Sequence, residues 1–362
     1  MEPILLGAAE KHFIAQGLAD GLRSDGRSID DFRPIWVESP ALTTTQGSSR
    51  VRIDTTDILV GVKCEVLECE DTSLTPNRLQ FTVDPSCLAA ARTEARGGEL
   101  FTEAIEAVLT EAYHGNGDVI SNMDKLILSK QFMWKVYVDV VIQQYGGNIL
   151  DAIFIAVKAA LLDTRITHLA LVAQDEGKFN IECGESTETN FFRLEAANAP
   201  LSISVNQIGK SIAVDCTEVE EAVLRTSLWV VLDQPESERT ADDCVRLRVV
   251  KQMFAGGMDP RSIPAMLDLA VRCGRKLHAA VNARLEEIRN EGDIHIPVEF
   301  SGGTVIKVQP ISILGLEPEK HPLAVLLDQG CTCALCINII LTCILIVPGI
   351  IHAIVVIVTH KR

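Results

Sequence analysis

Tyr145-Gly-Gly-Asn-Ile-Leu-Asp-Ala152 joins two segments whose apolar residues repeat with different periods, and that junction decides the fold. Ahead of it, residues 135–143 (KVYVDVVIQ) alternate and then run apolar, the pattern expected of a strand buried on both faces. Behind it, Leu150, Ile153, Phe154, Val157 and Leu161 recur at helical spacing. Gly146-Gly147 breaks the strand, and Asn148 is placed to cap the helix.

Upstream, the first 22 residues read as a helix with Ile4, Leu5, Ala8 and Phe13 available for packing. Arg23-Ser-Asp-Gly-Arg27 reads as a turn whose two arginines pair with Asp25, Asp30 or Asp31. Strands are expected at 51–53, 57–62 and 79–83, followed by a helix after Gly97-Gly98 carrying Leu100, Ala104, Ala107 and Val108. Downstream, short strands fill 168–249, and a long helix follows Asp259-Pro260-Arg261, with proline at an early helical position. This order predicts a two-layer α+β domain over residues 1–290. Residues 291–320, with scattered Gly and Pro, read as a linker.

Residues 321–362 belong to a different solvent class. From 334 to 358 the chain runs 25 residues without Asp, Glu, Lys or Arg. About 20 apolar helical residues cross the roughly 30 Å of bilayer hydrocarbon, so 334–358 is expected to be a transmembrane helix. His360-Lys-Arg362 would anchor one end, and Pro348 is tolerable within such a span. Cys331, Cys333, Cys336 and Cys343 admit a soft-metal site, but small apolar residues at a membrane boundary are the simpler account.

Acids outnumber Lys plus Arg by 49 to 33, for a formal charge of −16. Nucleic-acid binding draws on phosphate neutralisation, so any RNA contact must be local or shared with other subunits. Cys64, Cys69, Cys87, Cys183, Cys216, Cys244 and Cys273 are scattered, as reduced and mostly buried thiols would be. The eight histidines are dispersed, and neither a G-x-x-x-x-G-K-[ST] loop nor H-E-x-x-H occurs. No metal and no cofactor is expected.

Taken in order, Arg23-Ser-Asp-Gly-Arg27, Gly61-Val-Lys63, Tyr145-Gly-Gly-Asn-Ile-Leu-Asp-Ala152 and Val157-Lys-Ala-Ala-Leu161 resemble the RNase PH-like subunits of the RNA exosome ring. Pro200-Leu-Ser-Ile-Ser204, Ile208-Gly-Lys210 and Val214-Asp-Cys-Thr-Glu-Val-Glu-Glu221 extend the likeness, which covers about residues 5–290. The resemblance implies an RNase PH-like fold related to ribosomal protein S5 domain 2. It also implies a place in a six-membered ring of such subunits, topped by RNA-binding cap subunits, around a channel for single-stranded RNA. Nucleus, nucleolus and cytoplasm are the compartments implied, and the work is 3′–5′ RNA processing and turnover, including ribosomal RNA 3′-end maturation.

Active members of that family cleave with inorganic phosphate, held by a hydroxyl residue and an arginine after the Gly-Gly pair. Here Gly146 and Gly147 are followed by Asn148, Ile149 and Leu150. Aliphatic residues desolvate an anion without pairing it, so Gly146, Gly147 and Asn148 are a degenerate phosphate site. The family's downstream acid falls at or near Ser227, and a serine cannot act as that general acid. The subunit is therefore expected to be non-catalytic; the alternative is an active phosphate-dependent 3′–5′ exoribonuclease. Arg92 and Arg96, and Arg50 and Lys63 on the early strands, are the candidate RNA contacts, with Arg52 beside them.

From His321 the tail resembles the C-terminal half of the small plasma-membrane proteolipid 3 family, through Leu335-Cys-Ile-Asn-Ile339 and Ile346-Val-Pro-Gly-Ile-Ile-His-Ala353. That likeness leaves two readings open: a membrane-anchored fusion protein, or the joining of two neighbouring genes in the predicted coding sequence.

Overall fold

The helix after the glycine pair, Ile149–Asp163, is buried on every side from Ile149 to Leu161. Its sequence dictates this, because apolar residues occupy all its faces rather than one stripe. Such a helix needs cover on both sides, and two sheets provide it. The computed structural model describes residues 6–69, 78–84, 95–114, 119–173, 179–183, 191–233, 245–254, 256–291, 298–301 and 304–307, all within one compact unit, Met1–Lys307.

In chain order the first half comprises α1 (Ala8–Ala19), β1 (Ile35–Glu38), β2 (Gly47–Ile53), β3 (Thr56–Glu68), β4 (Leu79–Asp84), α2 (Ala95–His114), β5 (Phe132–Gln144) and α3 (Ile149–Asp163). Then come β6 (Arg165–Thr167), β7 (Leu169–Ala173), β8 (Phe179–Cys183), β9 (Phe191–Arg193), β10 (Leu201–Ile208), β11 (Ser211–Val214) and the single-turn α4 (Glu218–Glu221). The chain continues with β12 (Thr226–Asp233), β13 (Arg246–Met253), α5 (Ile263–Glu291), β14 (Val298–Ser301) and β15 (Thr304–Lys307).

A seven-stranded sheet has the order β15-β14-β1-β2-β3-β5-β4, antiparallel except for the β4–β5 pair. A four-stranded antiparallel sheet has the order β11-β10-β12-β13. Helix α3 packs on β2 and β3 of the first sheet and on β10 of the second, while α5 covers β10 and β12. Phe154, Ile153 and Leu150 are fully buried in the shared core. Truncating any one of them to alanine is expected to cost about 2–5 kcal/mol. Lys158 is also fully buried, its ammonium donating to the Ala199 carbonyl at 3.0 Å, which ties α3 to the start of β10.

The α+β class and the strand–glycine–helix junction stand as expected, with several corrections of detail. Strand β5 buries one face only: Val136, Val138, Val140 and Ile142 point inward, while Val141 is 37% exposed. Its neighbour β3 shows the same alternation through Ile58, Val60, Val62 and Cys64, so the outer face of this sheet is wet. Phe13 is 75% exposed, and α1 instead buries Leu18 in a small satellite core with Ile208, Ala213 and Cys216. Leu100 is likewise exposed, and α2 buries Ile105, Val108, Leu109 and Ala112. At α5 the early proline is Pro264, since Pro260 precedes the helix.

Part of the expected linker at 291–320 is drawn into the first sheet, where Ile35 of β1 pairs with Val298 and β14 pairs with β15. Apolar alternation at Val298 and Phe300, with Gly302-Gly303 before the next strand, is a hairpin signal that scattered glycines had masked. Among the described residues no helix is long and apolar enough to cross a membrane, and the expected transmembrane helix at 334–358 lies outside them, as does the Cys331–Cys343 group.

Candidate functional site

Strand β5 delivers Tyr145 to the glycine turn, and α3 begins immediately after it. Gly147 has φ +88°, and a Cβ there would lie 2.5 Å from the Cys216 carbonyl oxygen. The glycine is therefore required both for its left-handed backbone and for the close approach of the 214–218 segment. Asn148 follows with φ 54°, and it does not cap α3 with its side chain as expected. Instead, its side-chain amide donates to Asp215 Oδ1 at 2.8 Å.

The group that does engage the helix start comes from 73 residues further along the chain. Glu221 Oε1 accepts the backbone N–H of Asn148 at 2.7 Å, and Glu221 Oε2 accepts the Tyr145 hydroxyl in a short hydrogen bond. A helix N-terminus offers free N–H groups and a positive dipole end, so a carboxylate there is well placed. The seat that suits a phosphate anion thus holds an anion belonging to the protein.

What aims Glu221 is a small cap. The Thr217 hydroxyl accepts the Glu220 N–H, and the Glu220 carboxylate accepts the Thr217 N–H at 2.9 Å, forming a capping box around α4. Successive residues of a helical turn point in different directions, so Glu220 and Glu221 separate. Glu220 takes a bidentate pair with Arg23 (3.0 and 2.7 Å), both side chains being buried. Arg23 also donates to the Val214 and Asp215 carbonyls.

Asp215 is the centre of the arrangement. Fully buried, it accepts from the Arg33 backbone (2.7 Å), from the Arg33 guanidinium (3.0 and 2.8 Å) and from Arg27 (2.9 Å). Burial alone would push its pKa up, but the charges and hydrogen bonds of Arg33 and Arg27 outweigh it and hold the carboxyl below its ordinary range. Arg33 further donates to the Gly146 and Gly147 carbonyls at 2.8 and 3.2 Å, and the Thr56 hydroxyl donates to the Gly147 carbonyl at 2.6 Å. Among the described residues, Arg23, Arg27 and Arg33 are each engaged by an internal carboxylate or carbonyl. As to the turn at 23–27, Arg27 pairs with Asp25 at 2.7 Å as expected and also with Asp215 at 2.9 Å, whereas Arg23 pairs instead with Glu220.

Just inside α3, Asp151 is buried against the second sheet and accepts from the Ser202 and Ser204 hydroxyls at 2.8 and 3.0 Å and from the Ser204 N–H at 3.1 Å. Burial raises its pKa to about 7 despite these donors. Ser227 lies fully buried in β12.

The remaining candidates are dispersed. Arg50 forms a two-pronged pair with Asp57 (3.0 and 2.6 Å) across the β2–β3 hairpin, with Arg52 at 3.7 Å from the same carboxylate. Lys63 stands on the wet face of β3, 3.9 Å from Asp139, both exposed. Arg92 lies outside the described residues, and Arg96 falls in the first turn of α2 with its side chain outside them. Arg33 was invisible in the sequence, being a lone arginine in a short strand-edge segment. The acids Asp215, Glu220 and Glu221 are the one sequence feature that could have pointed to a buried cationic partner.

The model of a 3′ exoribonuclease family (RNase_PH, domain 1) matches residues 31–167, and that of the proteolipid membrane potential modulator family (Pmp3) matches residues 322–358. A curated relative from Dictyostelium discoideum, called putative exosome complex exonuclease RRP42, is 27% identical over 79% of this chain and 99% of its own. The exosome complex component Rrp42 of Sulfurisphaera tokodaii is 30% identical over 59% of this chain and 75% of its own. A chain of a solved archaeal exosome core shares the fold with a TM-score of 0.59 at 20% identity, covering 75% of this chain and 96% of that one. The chain thus belongs, through its described domain, to the RNase PH family, in the group of Rrp42-type exosome components.

Proposed function

We propose that the chain is a non-catalytic RNase PH-like subunit of an RNA exosome ring, supporting 3′–5′ RNA processing and degradation, including ribosomal RNA maturation and mRNA turnover. The observation that carries this reading is Glu221: its carboxylate takes the Asn148 N–H where a phosphorolytic enzyme needs inorganic phosphate. A second anion there would meet a like charge, and the neighbouring Arg33 and Arg27 are committed to Asp215. The subunit then serves by completing the ring and the RNA path, beside other RNase PH-like subunits and beneath RNA-binding cap subunits. Arg92, Arg96, Arg50 and Lys63 are its proposed RNA contacts, and nucleus, nucleolus and cytoplasm its proposed compartments.

Co-expression with other RNase PH-like exosome subunits tests the assignment. Stable co-purification as a ring that protects single-stranded RNA is the expected result. A full chain that stays a monodisperse monomer in the presence of those subunits would sink it.

The match of 322–358 to a membrane proteolipid family supports a second, compatible reading for the tail. In it, residues 334–358 form a transmembrane helix that tethers the domain 1–290 through a connecting segment, with membrane as the added compartment. One messenger RNA spanning codons 280–362 is expected if so, and two separate transcripts would remove the anchor.

A further inference from the structure

The last turn of α3, about 20 Å along the helix axis from the glycine turn, borders a cavity of about 180 Å³. Three arginines line it from three elements: Arg165 at the start of β6, Arg193 at the end of β9 and Arg289 near the end of α5. Arg165 and Arg193 sit directly opposite each other in the antiparallel β6–β9 pair. Like charges at directly opposed positions are destabilising, so this placement works against the fold when nothing lies between them. The guanidinium of Arg193 reflects it: burial, then the charges of Arg165 and Arg289, lower its pKa against the pull of Asp163.

Most of the other described arginines are ion-paired, Arg78, Arg225 and Arg261 excepted. Arg23, Arg27, Arg33, Arg50, Arg246, Arg248, Arg272 and Arg284 each reach a carboxylate within ion-pair distance. Among the described residues no such pair forms with Arg165, Arg193 or Arg289. Asp163 and Glu286 line the same cavity, and Asp163 accepts the Ser48 N–H at 3.3 Å. The Phe191 ring lies 5.5 Å from the Arg165 guanidinium and steadies it. A second cavity of about 350 Å³ shares Arg193 and Arg289 and adds Lys125, which stands 3.8 Å from the Glu195 carboxylate on the same wall.

We infer that Arg165, Arg193 and Arg289 form a binding site for a phosphate group, separate from the glycine turn and independent of the exosome reading. A phosphate presents several oxygens to several guanidinium forks, whereas one carboxylate satisfies a single fork. Its charge would also offset the Arg165–Arg193 repulsion. The phosphate comes either from a free anion or nucleotide, or from the backbone of single-stranded RNA.

Thermal unfolding of the full-length chain in mild detergent, at low salt, reads the site directly. Inorganic phosphate, against chloride at matched ionic strength, is expected to raise the midpoint of the wild-type chain. R193Q should raise the midpoint without phosphate, by relieving the repulsion, and should weaken phosphate binding at least about tenfold, the worth of one charge-assisted hydrogen bond. R289Q, on an exposed helix end, should lose phosphate binding in the same way and guards against a folding defect at Arg193. A short oligoadenylate separates the sources. If RNA is the ligand, each substitution weakens it and flattens its salt slope by about one; if a free anion is, only inorganic phosphate is affected. No phosphate response in the wild type, or equal responses in wild type, R193Q and R289Q, would overturn the site.

Discussion

Glu221 Oε1 accepts the Asn148 backbone N–H at 2.7 Å, so the N-terminus of α3 is closed by a carboxylate of the same chain. The geometry depends on a three-part brace. The α4 capping box turns Glu220 toward Arg23 and Glu221 toward Tyr145 and Asn148, and Asp215 pins Arg33 beneath the glycine carbonyls.

Removing the carboxylate should therefore cost stability. E221A leaves the Asn148 N–H and the Tyr145 hydroxyl without their acceptor, a loss expected to be about 2 kcal/mol. A double-mutant cycle with Y145F should show coupling of at least about 0.5 kcal/mol in urea unfolding, because the two groups share one bond. Strict additivity would show that the contact contributes nothing.

Gly147 should tolerate no side chain. G147A must adopt φ +88° and push its Cβ against the Cys216 carbonyl, so a loss of about 3 kcal/mol is expected. An unchanged denaturation midpoint would mean that the turn is looser than the structure shows.

How much of this the sequence disclosed depends on the range of the interaction. The strand–glycine–helix junction was legible because its signals are local: period two, two glycines, then an apolar helix. The exposure of Phe13 and Leu100 was not, because spacing reports which residues share a face but not which face meets the core. Asn148 has the residue type of a cap, yet its left-handed backbone turns the side chain to Asp215, and a glutamate 73 residues away engages the helix start. The Arg33–Asp215 pair spans 182 residues and left no local trace.

Asp151 sets a pH dependence with a definite sign. Its folded pKa, about 7, lies above its unfolded value, so its protonated form is favoured by folding. The stability linked to it is fully present below about pH 4 and is lost as pH rises to about 7, then stays flat. Asp215 works oppositely, with stability present above about pH 4 and lost as pH falls below it. D151N should therefore flatten the stability profile between about pH 4 and 7 while leaving the acid limb intact. A D151N profile that still falls across that window would show that another group is responsible.

Arg92 and Arg96 test the RNA path. Replacing both by glutamate should weaken RNA protection by an assembled ring most at low salt, with little change in sequence preference. If the ring fails to assemble, the pair belongs to a subunit interface. If protection is unaltered at every salt concentration, they do not face the channel.

The central claim is that the glycine turn, closed by Glu221, cannot take inorganic phosphate for catalysis. Incubating the purified full-length chain with an oligoadenylate and inorganic phosphate, and measuring nucleoside diphosphate release, tests it most directly. The account predicts no release above a phosphate-free control; phosphate-stimulated release of nucleoside diphosphates by this chain alone would contradict it.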